Sequence, residues 1–199
     1  MSGKTAGLVA SLTITLSGAL QAQNQITPPA VPVEIEVPAG FKPFFAGHAI
    51  GTQNFICAPS PTASGLDWVF IGPQATIFNR EAEQTLTHFH SKNPFEDGAA
   101  QAAIQATWQH SRDTSAVWAV KWKGSVDLTY VAPGAIEWLL LDVTGEQLGP
   151  AGGDKLTKAA YIHRVNTIGG VKPPSSECTP ATLNHRRLVY YEADYFFYQ

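Results

Sequence analysis

The amino-acid sequence predicts an all-β protein, a single-domain antiparallel β-sandwich or jelly roll. Of its 199 residues, 15% are charged and 11% are aromatic, and 14 prolines and 17 glycines supply frequent turns. Short apolar runs of strand length recur between these turns, with neither an internal repeat nor an alternation of strands and helices. A chain of this length is expected to bury a substantial core within one domain.

The amino terminus has the layout of a secretory signal. Lys4 is followed by an uncharged run of small and apolar residues over 6–22, and cleavage after Ala22 would leave Gln23 first. A disordered or helical tail is the alternative interpretation. The run is too short and too rich in Ser, Thr and Gly to indicate a membrane span, and no later segment could cross a bilayer. We therefore predict a periplasmic or secreted protein with a signal peptide (1–22), a proline-rich lead-in (23–32) and a β-sandwich domain (33–199).

Cysteine content agrees with export, and the net charge limits the expected partners. An even number of cysteines in an exported chain favours one disulfide, Cys57–Cys178, over two buried free thiols. Without Lys4 the chain carries 12 basic and 16 acidic residues, a net charge of −4. Because the largest basic cluster is the pair Arg186-Arg187, neither nucleic acid nor an anionic membrane is an expected partner.

The strands are predicted from apolar runs and from the turn formers between them. Residues 33–37 alternate apolar and charged side chains, and Gly72-Pro73 separates two later runs. The run at 75–78 is expected to pair with 86–90. The predicted strands are 33–37, 49–57, 68–71, 75–78, 86–90, 104–110, 116–122, 136–143, 161–167 and 187–198.

Two of these strands carry predictions about packing. In 116–122, alternate residues share one face, which we predict to be the core face: Ala116, Trp118, Val120 and Trp122. The run at 136–143 (IEWLLLDV) is the most apolar strand, and we predict that both of its faces are buried.

Five sequence blocks occur in a characteristic order: GTQNFICA (51–58), ATWQHSRDTSAVW (106–118), IEWLLLD (136–142), YIHRVNTIGGVKPP (161–174) with Cys178, and YYEADYFFY (190–198). Together they resemble domain-of-unknown-function family 3455, found in secreted bacterial and fungal proteins. The resemblance runs from about Val33 to Tyr198. It implies an exported, mainly β domain with a single disulfide, and it implies no activity.

The family pattern has a His that leads into a Trp and then an Asp-Gly-Ser turn. Its best matches in this sequence are His88, Trp108 and the turn 113–115, in which Thr114 replaces the glycine. Because polar side chains are concentrated in this segment without a complete catalytic set, we predict a ligand site that includes His88, Trp108, Asp113 and Ser115. This chain has extra residues between the His and the Trp, and they add His90, Glu96 and Asp97.

Three histidines could also bind a metal ion. His88 and His90 lie two residues apart, so a strand would direct both imidazoles to one face, and His110 could join from a neighbouring strand. Such a set suits Zn²⁺ or Cu²⁺. The alternative is that these are surface or hydrogen-bonded histidines without a metal.

Two further groups of residues could carry chemistry. Six aromatic side chains could stack on sugar rings or could simply form the core: Trp108, Trp118, Trp122, Tyr190, Tyr191 and Tyr195. Glu192 and Asp194 share a face of the last strand, as paired carboxylates or as an ordinary solvated surface. The sequence lacks both a dinucleotide-binding unit and a Gly-x-Ser-x-Gly motif.

The sequence thus favours a ligand-binding or envelope-associated module with a polar cleft near His88, Trp108 and Asp113. The expected ligand is a small molecule or a carbohydrate. The main alternative is a metal-dependent enzyme, with Zn²⁺ or Cu²⁺ held by His88, His90 and His110. A purely structural surface protein without a pocket is the third hypothesis. The sequence identifies neither catalytic residues nor an oligomeric state.

Overall fold

The computed structural model describes residues 3, 25–62, 64–95 and 104–199. The predicted signal peptide lies outside the described residues, apart from Gly3, and so do the first two residues of the lead-in. Eight antiparallel strands form a closed barrel in which each strand pairs with the next and the last pairs with the first. The strands are β1 (Pro43–Pro59), β2 (Leu66–Phe78), β3 (Gln84–Lys92), β4 (Ile104–His110), β5 (Ala116–Ser125), β6 (Trp138–Gln147), β7 (Tyr161–Gly169) and β8 (Arg186–Tyr198).

The predicted sandwich or jelly roll is wrong, because the sheet closes on itself. β1 pairs with β8 along most of its length, from Pro43 opposite Tyr198 to Ile56 opposite Arg186. A sandwich leaves edge strands, whereas closure gives every strand two neighbours. Turn spacing and alternation indicate antiparallel strands, but a pairing between the first and the last strand has no local signal in the sequence.

Small residues on β1 make room for large ones elsewhere in the barrel. A Cβ atom at Gly51 would lie 2.2 Å from the carbonyl oxygen of Gln74 on β2, so only glycine permits this approach. The neighbouring strand β8 contributes buried aromatic side chains, including Tyr195 and Phe197, and β4 contributes Trp108. Small barrels are filled by side chains in this way, with small residues facing large ones.

One end of the barrel, the closed end, is filled by the connection from β6 to β7. Leu156 of this connection is fully buried in the main core. Its neighbour Lys155 donates a backbone hydrogen bond to Oδ2 of Asp113, in the turn between β4 and β5, at 2.8 Å. We call the opposite end, where β2, β4 and β6 begin, the mouth.

Residues 33–37 do not form the predicted strand. Val33–Ile35 is a short 3₁₀ helix that lies on the outside of the barrel, and Ile35 is fully buried there. The carbonyl oxygen of Ile35 accepts a hydrogen bond from Nε2 of His163 on β7, at 2.7 Å. The alternation of apolar and charged residues at 33–37 therefore does not indicate a strand here, because it also occurs in a short segment that buries one apolar residue against a sheet.

This external layer explains the burial of β6. Trp138 and Leu140 lie beneath it with Ile35, whereas Leu139 and Leu141 belong to the core inside the barrel. The prediction that both faces of this strand are buried is confirmed.

The predicted core face of β5 is wrong. Val117 and Ala119 belong to the interior core. Trp118 points outward and donates from Nε1 to Oγ of Ser91 at 2.8 Å, while Trp122 is 47% exposed. Both faces of this strand carry apolar residues, so alternation alone could not show which face lies inside.

The remaining strands follow the prediction more closely. The expected pairing of 75–78 with 86–90 is confirmed, with Ala75 opposite His88 and Ile77 opposite Leu86. The runs at 68–71 and 75–78 are one strand, β2, because Gly72-Pro73 is accommodated by a register shift rather than a break. Among the described residues, no helix has the length and hydrophobicity needed to cross a bilayer.

The predicted disulfide is confirmed. Cys57 near the end of β1 is bonded to Cys178 in the segment before β8, with Cα atoms 5.3 Å apart. Phe55 and Trp68 pack beside it in a small separate core. The bridge therefore ties the β1–β2 hairpin to the segment that leads into β8, close to the mouth.

Removal of this bridge should weaken the barrel measurably. The two cysteines are 121 residues apart, so the double variant Cys57→Ala/Cys178→Ala should lose about 2–5 kcal/mol of unfolding free energy. Urea denaturation followed by tryptophan fluorescence measures this loss. A reductant should lower the midpoint of the wild type but leave that of the double variant unchanged. An unchanged midpoint for the reduced wild type would contradict a stabilising role.

Candidate functional site

A cavity of about 320 Å³ lies inside the barrel at the mouth. It is bounded by side chains from all eight strands and includes both polar and apolar groups. Side chains that matter for its chemistry are those of Gln53, Phe70, His88, Trp108, Arg164 and Tyr195. A cavity of this size falls in the range of small-molecule sites.

His88 and Trp108 form one wall of this cavity. They are directly paired on β3 and β4, and their rings are stacked with centroids 4.2 Å apart and planes 9° from parallel. Tyr195 on β8 packs against both rings, at 5.3 Å from His88 and 5.5 Å from Trp108. These contacts form a rigid aromatic wall inside the barrel.

His88 is a neutral imidazole with one assigned role for each nitrogen. Its Nδ1 lies 2.9 Å from the carbonyl oxygen of Thr107, so Nδ1 carries the proton and donates it. Nε2 is then an acceptor. Burial lowers the pKa of His88 to about 3, since a charged imidazole would lose its hydration inside the barrel. His88 therefore offers the cavity an aromatic face and an acceptor, but no charge.

Five buried polar atoms at or beside the cavity have no partner at full hydrogen-bond geometry among the described residues, although Tyr195 interacts more weakly with Tyr191 and Arg164. They are Gln53 Nε2, Trp108 Nε1, Arg164 Nε and the hydroxyls of Tyr191 and Tyr195. Two more such atoms, the indole nitrogens of Trp68 and Trp138, lie elsewhere. More than nine in ten buried polar groups in proteins are satisfied, so a local cluster of unpartnered ones needs an explanation.

Arg164 is the charged member of this cluster. It projects from β7 beside Tyr195, and its Nη2 donates to the backbone carbonyl of Glu137 at 3.0 Å. No carboxylate of the described chain lies within ion-pair distance of it. Burial raises the pKa of the Tyr195 hydroxyl, which therefore stays protonated and able to donate.

The predicted ligand-site residues divide between the two ends of the barrel. His88 and Trp108 are in the cavity, whereas Asp113 and Ser115 are at the closed end. Oδ1 of Asp113 accepts hydrogen bonds from the backbone and hydroxyl of Ser115, at 3.0 and 2.7 Å. The Ser115 hydroxyl in turn accepts from the backbone of Leu156, at 3.1 Å. Asp113 and Ser115 therefore hold the connection that fills the closed end.

The three predicted metal ligands lie at three successive levels along the barrel. His90 and His88 are on β3, opposite Ala106 and Trp108 of β4. His110 is on β4, one level further on, opposite Leu86 of β3. Each level is about 7 Å from the next, the length of two strand residues. His110 also has its own partner, since its Nδ1 accepts from the backbone of Asp113 at 3.1 Å.

The histidines are therefore not gathered into a metal site. Within the described part of the chain, no three His, Cys, Asp or Glu side chains lie close enough to hold a metal ion. His90 lies nearer the rim, against the ring of Phe70 at 5.4 Å, on the same side as His88, as the HxH pattern predicts. Glu96 and Asp97 lie outside the described residues.

The carboxylates of the last strand lie on the outer wall of the barrel. Both contact His48 on β1: Asp194 approaches Nδ1 at 2.8 Å and Glu192 approaches Nε2 at 3.2 Å. Glu192 also accepts a hydrogen bond from Tyr190. This surface cluster is separate from the cavity. Tyr191 and Tyr195, considered as sugar-stacking residues, are buried inside the barrel instead.

Gln53 and Arg164 were not predicted as site residues from the sequence. The signal that could have found Arg164 is a charged residue in the middle of an apolar strand, in the run Tyr161–Gly169. Only the register of β7 and β8 shows that this side chain faces Tyr195 in the interior.

Protonation of His88 should destabilise the protein in acid. The unfolded chain binds a proton near the ordinary value of 6.5, whereas folded His88 binds it only near 3, so unfolding becomes easier as pH falls between these values. From about pH 6.5 to about pH 4.5 this one group should remove about 2 kcal/mol of unfolding free energy. Urea denaturation of wild type and His88→Gln at both pH values measures the difference, which should be smaller in the variant. His185→Gln, at an exposed position, is the matched control and should keep the wild-type pH dependence. Equal pH dependence in wild type and His88→Gln would contradict the assignment.

A family model described as "Protein of unknown function (DUF3455)" matches residues 38–199. No curated protein and no solved structure matched the chain. The match covers all eight strands of the barrel, from just before β1 to the last residue, and it confirms the resemblance found in the sequence blocks. The protein belongs to family DUF3455.

Proposed function

We propose that this protein is a binding module that holds one small molecule inside the mouth of its barrel. The observation that carries the proposal is a set of five buried polar atoms without a partner at full hydrogen-bond geometry in the described chain, four of which belong to side chains that line a cavity of about 320 Å³. Each unsatisfied buried group costs about 1–3 kcal/mol, and a ligand with suitably placed acceptors would recover much of that cost.

The rigidity of the wall supports binding. Trp108 and Tyr195 are each only 1% exposed, and both are packed against His88. Side chains that are already fixed lose little conformational freedom when a ligand arrives, which favours affinity. The closed barrel holds these residues in place from three different strands.

A metal-dependent enzyme receives no support from the arrangement of the described side chains. Nδ1 of His88 donates to the carbonyl oxygen of Thr107, and one face of its ring is stacked on Trp108. Nδ1 of His110 accepts a hydrogen bond from the backbone of Asp113. The cavity also lacks an acidic side chain among its described lining residues, so it offers no carboxylate pair for acid–base chemistry. We therefore assign no catalytic residue.

A ligand panel and native mass spectrometry test this function. Protein isolated from its own source should carry a small molecule, and wild type should bind at least one member of a panel of single-ring acids, amides and alcohols. Ala106→Leu places a larger side chain in the cavity lining and should abolish binding. Ala181→Leu, at an exposed position, is the matched control and should bind as wild type does. Thermal denaturation shows that both variants are folded. Absence of any co-purified or panel ligand would overturn the proposal.

We also propose that the protein is exported, with residues 1–22 removed. The support is the sequence layout of the leader together with the disulfide, which persists in oxidising compartments. Amino-terminal sequencing of protein made with its own leader should start at Gln23. Protein that retained Met1 and remained in the cytoplasmic fraction would contradict export.

A further inference from the structure

We infer that the ligand is a small carboxylic acid built on one planar ring, with its carboxylate at Arg164. This inference rests on the proposed function and adds the chemical class of the ligand. It follows from the polarity, the charge and the shape of the cavity.

The unpartnered atoms are almost entirely hydrogen-bond donors. Trp108 Nε1, Gln53 Nε2 and Arg164 Nε can only donate, and a tyrosine hydroxyl can donate or accept. A complementary ligand must therefore present acceptors. A carboxylate accepts about four hydrogen bonds on two oxygens and donates none, so its polarity matches that of these donors.

The positive charge in the cavity favours an anionic ligand group over a neutral hydrogen-bond acceptor. Two cationic side chains are among its described lining residues, Arg164 and Lys121. Lys121 is neutralised by Glu137, with Nζ 2.6 Å from Oε2. Arg164 donates to the neutral carbonyl of the same residue and interacts with the Tyr195 hydroxyl, so neither of these partners is an anion. A partly buried cation without a counterion is unfavourable, and arginine pairs best with a planar carboxylate through two parallel hydrogen bonds.

The shape of the cavity limits the rest of the ligand. Leu139, Leu141 and Ala119 supply apolar walls beside the stacked His88 and Trp108, and flat rings pack well on aromatic surfaces. The volume of about 320 Å³ is about twice the 150 Å³ of a cavity that holds benzene. One ring with a short acidic side chain fits this space, whereas a lipid chain or an oligosaccharide does not.

Matched acids and amides test the class of ligand. Isothermal titration calorimetry with benzoate, 3-phenylpropanoate and their primary amides separates the contribution of the negative charge to the affinity from that of the ring. The better-bound acid should bind wild type at least about tenfold more tightly than its amide, since a hydrogen bond to a charged group contributes about 1.5–3 kcal/mol. In Arg164→Gln the acid should lose that advantage while the amide binds within about twofold of its wild-type affinity.

Two further variants keep the test decisive. Tyr195→Phe removes one donor and keeps the ring, so it should weaken the acid more than the amide even if Arg164→Gln does not fold. Arg112→Gln removes an exposed cation at the closed end and should change neither affinity.

The outcomes separate this inference from the function on which it rests. Equal binding of acid and amide by wild type, or full retention of acid binding in Arg164→Gln, would overturn the inference but leave a binding function standing. If no acid of the panel binds while an amide or an alcohol does, the inference alone fails. If nothing binds at all, both fail.

Discussion

The pairing of β1 with β8 is the constraint on which the rest of this structure depends. It turns an eight-strand meander into a closed barrel and places the aromatic residues of β8 opposite the glycines and alanines of β1. A strand with larger residues at Gly51 could not approach β2 this closely. Closure therefore decides both the shape of the interior and which side chains meet inside it.

The two ends of the barrel differ in whether their buried polar side chains are hydrogen-bonded within the described chain. At the closed end, Asp113 and Ser115 bond to each other and to the connection that carries Leu156. At the mouth, Arg164 and Tyr195 retain polar atoms without a partner at full hydrogen-bond geometry in the described chain. Because no such side-chain atom of the described residues lies at the closed end, those at the cavity are better explained by the proposed ligand than by poor packing.

The outer wall contributes to the stability of the barrel rather than to its site. The 3₁₀ helix at Val33–Ile35 covers one side of the barrel, where His163 bonds to both Ile35 and Tyr198. The disulfide secures the β1–β2 hairpin near the mouth. These two attachments fix strands that line the cavity, so the cavity can be organised without contacts from the ligand itself.

Local patterns in the sequence determined the all-β class, the antiparallel strands, the disulfide and the common face of His88 and His90. These features depend on neighbouring residues, on turn formers and on the parity of a strand, all of which can be read along the chain. Tertiary structure alone decided that the sheet closes, that Val117 rather than Trp118 faces the interior, and that Arg164 meets Tyr195 beside Trp108. The physical reason is that strand register and closure join residues far apart in the chain, and alternation is the same whether a face points into a barrel or away from it.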